Sequence, residues 1–287
     1  SSWYAFDKID RIYTEELFLV GGGDAEVFVL DGLNEIDSIA GNIKSDLILR
    51  HADTRTDQLT ELAFKEKTAP VGGVKYSGLS ADNRNVSINS RTSVNLKQFV
   101  AKDVNITTNQ GWEDGNLNIG SGAVLSGAVT LNAGTGDVTV SNALGDAGSP
   151  VESISITGGD INLSAVTTES TQTYIAAGAI NAGGDLVSGS GFIKVTGDLV
   201  LPGALSVDTT NGGLEDGASI SFSGSINSDG ITPYDLNLKA GQGAVDFEDV
   251  VGQNQRLGQV YIEQAGTVTA HKAFNVEEVA VQSSGSV

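Results

Sequence analysis

Cysteine and methionine are absent from this 287-residue sequence, which has only four prolines, two tryptophans and two histidines. Without a thiol, neither a disulfide nor a thiolate metal site can form. No run of about 18 or more apolar residues occurs, so no segment is built to span a bilayer as a helix. Positive charge is scarce as well: 16 Lys and Arg stand against 36 Asp and Glu, for a net charge of −20. A phosphate backbone is held by a basic stripe that releases its counterions, so the composition argues against nucleic acid as a partner. It argues equally against insertion into, or docking on, an anionic membrane. The excess acid reads first as solubility, since a repetitive protein with long exposed faces must repel copies of itself. Cation binding is the functional alternative.

The lack of Cys and Met, with so few cations, fits a large exported protein that crosses an outer membrane without disulfide knots. The opening Ser1-Ser2-Trp3-Tyr4-Ala5-Phe6-Asp7 is not a signal peptide, because no basic stretch precedes an apolar one. With no initiating Met and an end inside the polar run Gln282–Val287, the sequence reads as a piece of a longer protein.

Composition changes near residue 100. Residues 1–102 hold 12 Lys and Arg, 15 acidic residues and 8 of the 37 glycines. Residues 103–287 hold 4, 21 and 29, so nearly all the net negative charge lies there. Two regions are therefore expected. The first, 1–102, reads as an irregular β-rich cap or insertion. Short β-type runs occur at Glu16–Val20, Glu26–Leu30 and Asp46–Arg50. Gln58–Lys67 places Leu59, Leu62 and Ala63 at helical spacing among good helix formers, which predicts a short helix over 58–67. Trp3–Phe18 reads either as a second helix or as an irregular capping segment, of the kind that shields the end of a repeat stack.

The second region, 103–287, reads as β-solenoid repeats, with alternating runs already present from Asn85. Runs such as Val129–Leu131, Ser153–Ile156, Gln172–Ala176, Phe192–Val195, Asp198–Leu201, Ala244–Phe247, Gln259–Ile262 and Thr267–Ala270 are three to five residues long. Aliphatic residues alternate with Ser, Thr, Asn and Asp, which puts one side in a core and the other in water. Gly, Asn and Asp fill the gaps and reach left-handed conformations at low cost. A self-match supports stacking: Val129–Gly145 (VTLNAGTGDVTVSNALG) aligns with Leu236–Gly252 (LNLKAGQGAVDFEDVVG). Weaker units between them suggest a period near 20 residues, the rung length of a parallel β-helix. Stacked antiparallel β-sandwich repeats are the rival fold, favoured by the dipeptides Asp31-Gly32, Asp114-Gly115, Asn211-Gly212, Asp216-Gly217 and Asp229-Gly230.

Leu236 through Thr269 also follows L-x-L-x-A-G-x-G-x-V-x-F-x-x-x-V-G and then L-G-x-V-x-I-x-x-A-G-x-V-T. That pattern resembles the degenerate repeats of filamentous-haemagglutinin-like, giant bacterial surface adhesins. The resemblance covers Val129–Val281. It implies a secreted right-handed parallel β-helix on a bacterial cell surface, mostly serving as stalk, although the family's amino-terminal secretion motif is not present here.

Little in the sequence points to catalysis. His51 and His271 lie far apart, and no Gly-x-Ser-x-Gly elbow accompanies either. Gly21-Gly22-Gly23 follows a strand-like run but does not complete a dinucleotide-binding motif. Lys194, Lys239, Arg256 and Lys272 are the only cations after residue 102, too scattered for a lyase that must neutralise a uronate. Glu113-Asp114, Glu215-Asp216, Asp246-Glu248-Asp249 and Asp24 with Asp31 read as solvated turn acids, with Ca²⁺ binding as the alternative. Gly158-Gly159-Asp160 and Gly183-Gly184-Asp185 are fragments of a calcium β-roll pattern without its iteration. The expectation is thus a non-enzymatic segment, with no catalytic or cofactor-binding residue assigned and the metal question open. It would attach to a host or surface glycan or protein, or self-associate. A β-helical carbohydrate-active enzyme and a subunit of an extracellular filament or surface layer are the alternatives; the enzyme needs paired carboxylates on neighbouring rungs.

Overall fold

The computed structural model describes strand backbone between Tyr13 and Asn89, together with the side chains of Val86 and Ile88. Backbone and side chains are described over residues 93–96, 99–109, 114–211, 213, 216–230 and 232–282, with strand backbone at Lys97 and 284–286. The chain forms two compact units, Ser1–Asn142 and Ala143–Val287. Each is a stack of parallel strands, a β-solenoid, and no helix occurs among the described residues.

In the first unit the strands are β1 (Tyr13–Val20), β2 (Val27–Leu30), β3 (Glu35–Asn42), β4 (Asp46–Arg50) and β5 (Val74–Asn89). They continue as β6 (Val94–Lys97), β7 (Val100–Thr107), β8 (Leu117–Ile119), β9 (Val124–Asn132) and β10 (Val138–Val140). One ladder runs β1–β3–β5–β7–β9, every pair parallel. Among the described residues, stacking is present from Tyr13 onward, and the compositional change near residue 100 falls inside this unit. Tyr13–Val20 is extended, which overturns the helical alternative for the end of Trp3–Phe18. The helix expected over 58–67 lies outside the described residues.

The second unit opens with β11 (Ser153–Gly158), β12 (Ile161–Leu163), β13 (Val166–Thr168), β14 (Gln172–Ala182) and β15 (Leu186–Ser188). Next come β16 (Ile193–Leu201), β17 (Leu205–Asp208), β18 (Ile220–Phe222), β19 (Ile226–Ser228) and β20 (Leu236–Lys239). It ends with β21 (Ala244–Phe247), β22 (Leu257–Ala270), β23 (Val276–Val281) and β24 (Ser284–Ser286). All the strand pairs described within each unit are parallel, which rules out the antiparallel sandwich; the one antiparallel contact among the described residues is the isolated Asp146–Ser149 bridge of a turn. Side-chain bonds between adjacent rungs join residues 18 to 30 positions apart, so the rung length is looser than the expected 20.

Parallel in-register stacking places like above like. The partners Ile154, Gln172, Ile193, Ile220, Val245 and Val268 form one column. Two residues along, Ile156, Tyr174, Val195, Phe222, Phe247 and Ala270 form the next. Alternation explains why: β11 reads in-out over its whole length and short strands such as β10 and β12 read in-out-in. Several runs expected as separate strands are continuous. Phe192–Val195, from Ile193 on, and Asp198–Leu201 belong to β16, and Gln259–Ile262 and Thr267–Ala270 to β22. Each long strand serves two ladders, as β14 does by pairing with β11 over 172–176 and β12 over 180–182.

The internal repeat is structural. Leu131 and Leu238, Ala133 and Ala240, Val138 and Val245, and Val140 and Phe247 are all buried. The turns match as well, because Gly136 N–H donates to Ala133 O and Gly243 N–H to Ala240 O. Gly134 and Gly241 take the same left-handed conformation, φ 61° and 59°, which disfavours any side chain there.

The core is not uniformly apolar. Phe247 lies between Phe222, stacked with a centroid separation of 5.5 Å, and Phe274, edge-on at 5.0 Å. Elsewhere Tyr174 OH donates to Gln172 Oε1 at 2.9 Å, and Gln172 Nε2 donates to Val187 O at 2.7 Å and Thr168 Oγ1 at 3.2 Å. The Thr168 and Ser188 hydroxyls both donate to Ser170 O at 2.6 Å. Tyr174, Gln172, Thr168 and Ser188 are buried, and burial holds the Tyr174 phenol far above the usual tyrosine range.

Candidate functional site

Within strands, between them and in turns, several backbone N–H groups bond a side chain rather than a carbonyl. Aspartates of the preceding rung take those N–H groups. Asp103 Oδ1 accepts from Ala128 N–H at 2.9 Å, Asp160 Oδ1 from Ala179 N–H at 2.8 Å and Asp235 Oδ1 from Gln259 N–H at 2.7 Å. Asp185 Oδ1 accepts from Ser206 N–H at 3.0 Å. Asp114 Oδ2 takes both the N–H and the hydroxyl of Thr135, and Asp198 Oδ1 does the same for Ser225. Glycine precedes the capped residue in all but the Ser206 case. A Cβ on Gly127, Gly134, Gly178 or Gly258 would stand 2.1–2.3 Å from the clasping carboxylate oxygen. The Asp–Gly clasp is thus a rung-to-rung coupler, made of a charge-assisted bond and the open space glycine leaves for it.

This arrangement gives several of the acids a specific role. Asp114, Asp160 and Asp185, read as solvated turn acids or calcium ligands, hold the backbone of the next rung. Asp246 faces His271 Nε2 at 3.0 Å on the surface, and Asp249 accepts from its neighbour Val250 N–H at 2.8 Å. Asp216 accepts from Gln242 Nε2 at 3.4 Å, and Glu248 is exposed. Among the described residues, no three His, Asp or Glu side chains gather as a metal site. Glu113, Glu215, Asp24, Asp31, His51 and Gly21–Gly23 lie outside the described residues. Two buried threonines bond carbonyls farther along the chain, Thr108 Oγ1 donating to Gly115 O and Thr209 Oγ1 to Ala218 O.

The cations remain dispersed. Lys239 bonds Glu263 at 2.7 Å, which raises the lysine pKa, and Arg256 bonds Glu277 at 2.7 Å. Lys194 and Lys272 are exposed on separate strands or turns. Side-chain ladders add to the coupling: Asn118 Nδ2 donates to Asn95 Oδ1 at 2.8 Å and Asn181 Nδ2 to Asn162 Oδ1 at 2.9 Å. Sequence reading missed both the clasps and the asparagine ladders. Their one sequence signal is a corner Asp followed, about one rung later, by Gly and a small or polar residue.

A cavity of about 250 Å³ opens in the second unit beside the ends of β13 and β15. Glu169 is the one carboxylate among its lining residues, so it lacks the carboxylate pair that glycoside hydrolysis uses. No helix among the described residues is long and apolar enough to cross a membrane. No protein-family model, curated protein or solved structure matches this chain.

Proposed function

We propose that this chain is a structural and adhesive segment of a large secreted bacterial surface protein, a stalk of parallel rungs that carries or presents a surface for attachment. The observation that supports this reading most is the unbroken side-chain column from Ile154 to Val268, coupled rung to rung by aspartate clasps. Such a stack extends by adding rungs and leaves its outward residues free for contact. The resemblance of Leu236–Thr269 to filamentous-haemagglutinin-like repeats points the same way.

The test pairs attachment with catalysis. The purified chain is applied to surfaces coated with host glycans and matrix proteins, and separately incubated with polysaccharides while reducing ends are counted. Saturable attachment without release of reducing ends is the expected result. Release of reducing ends would overturn the reading in favour of a carbohydrate-active enzyme.

A further inference from the structure

The cavity beside β13 and β15 is built from three successive turns. Glu169, Ser190 and Asn211 line it at equal sequence spacing, 21 residues apart. The register pairs Thr168 with Ser188, so Gly189 lies over Glu169, with Ser190 beside it, and the missing side chain at Gly189 leaves the space above Glu169 open. The surroundings are fixed. Ser190 Oγ donates to Glu169 O at 3.2 Å, and Asn211 N–H donates to Ser188 O at 3.2 Å. Asn211 holds a left-handed conformation, φ 51°, one of two such non-glycine residues among those described. Thr168, also in the lining, is tied into the buried Gln172 network, and Pro150 supplies an apolar wall.

We propose that this cavity binds a small ligand carrying a protonated amine beside hydroxyl groups, of the amino-sugar class. Its polar side chains all present oxygen acceptors, and no Lys, Arg or His is among the lining residues. With a net charge of −20 the protein repels anions and draws cations. The volume of about 250 Å³ is below that of pockets for drug-sized ligands, which suits a single sugar ring. Glu169 is exposed, and no described residue forms a hydrogen bond or ion pair with its carboxylate, which leaves it open to an ammonium group. The site stands whether or not the chain serves as a stalk.

The experiment is ligand-observed NMR titration of the full chain with glucosamine, glucose, N-acetylglucosamine and glucuronate at near-neutral pH. Saturable glucosamine binding with Kd of about 1 mM is expected, with glucose and N-acetylglucosamine at least about tenfold weaker and glucuronate silent. Glu169→Gln weakens glucosamine by about tenfold at unchanged Tm, whereas Glu152→Gln, an exposed acid outside the lining, leaves it unchanged. No glucosamine binding, equal binding of all four sugars, or an unaffected Glu169→Gln would each overturn the proposal.

Discussion

Two cross-sections of the second unit occupy the same side-chain column and solve burial in opposite ways. Phe222 and Phe247 fill theirs with stacked rings, while Tyr174, two rungs earlier in that column, ends in a hydroxyl held by Gln172. All three are buried to 1% exposure or less. The aromatic section is stabilised by area removed from water and by ring packing, terms that do not depend on a single partner. The polar section is stable only because it closes: Gln172 donates to Val187 O and Thr168, accepts from Tyr174, and leaves no end of the chain open. The lesson is that a solenoid interior accepts polar residues where neighbouring rungs complete the network.

That contrast can be broken at either section. Phe247→Ala removes the central ring of the aromatic stack and is expected to cost about 3–5 kcal/mol, read by urea denaturation. Gln172→Leu keeps the volume but strands the Tyr174 hydroxyl and the Val187 carbonyl, for an expected cost of about 1–3 kcal/mol. In that background Tyr174→Phe should become nearly neutral, whereas in the parent it should be destabilising, and a double-mutant cycle measures the difference. The same phenol makes stability fall in alkali. Its folded pKa is raised, so its contribution is complete below about pH 10, the unfolded value, and is lost as pH climbs above it. Tyr174→Phe should remove that part of the alkaline slope.

An effect of the same size as that at Gln172 tests the corners. Gly178→Ala sets a Cβ 2.2 Å from Asp160 Oδ1, and overpacking of this kind costs about 1–3 kcal/mol. Combined with Asp160→Ala, Gly178→Ala should cost much less than alone, because the next atom, Gly159 O, is at an ordinary 3.4 Å. Additive costs in that cycle would sink the clasp. The least effect is expected at the surface. Lys239→Ala breaks the pair with Glu263, where solvent screens both charges, and should change stability by no more than about 1 kcal/mol. The raised Lys239 pKa means that this contribution is complete at neutral pH and fades only as pH rises past the lysine range.

The aromatic section was readable in the sequence and the polar one was not. Phe222, Val245 and Phe247 sit in runs whose apolar alternation announces strands, and the self-match of Val129–Gly145 with Leu236–Gly252 announces their stacking. Three strands gave no such signal: β13 (Val166–Thr168), β15 (Leu186–Ser188) and β19 (Ile226–Ser228). β13 and β19 have one aliphatic residue each and β15 has two, and each ends on a buried Thr or Ser. Their polarity marks those hydroxyls as outward, yet Thr168 and Ser188 face inward, on the side of Val166 and Leu186, because Gln172 and Ser170 satisfy them. The corners were opaque for a related reason. Asp160 and Asp198 look like any solvated acid until the next rung brings the Ala179 and Ser225 N–H groups to them. Long-range partners, rather than local propensity, decided both cases. The cavity at Glu169, Ser190 and Asn211 was equally hidden, since its residues meet only when successive turns stack.

The central claim is the parallel rung register, and cysteine cross-linking tests it directly because the chain has no cysteine of its own. Ser155 pairs with Thr173, and Thr173 with Lys194, on outward positions of β11, β14 and β16. Partners on adjacent rungs lie about 4.8 Å apart, within disulfide reach, while Ser155 and Lys194 are two rungs, or roughly 9.6 Å, apart. The double variants Ser155→Cys/Thr173→Cys and Thr173→Cys/Lys194→Cys should therefore form intramolecular disulfides under mild oxidation, and Ser155→Cys/Lys194→Cys should not. Rapid closure of the Ser155/Lys194 pair, with neither adjacent pair closing, would contradict the solenoid.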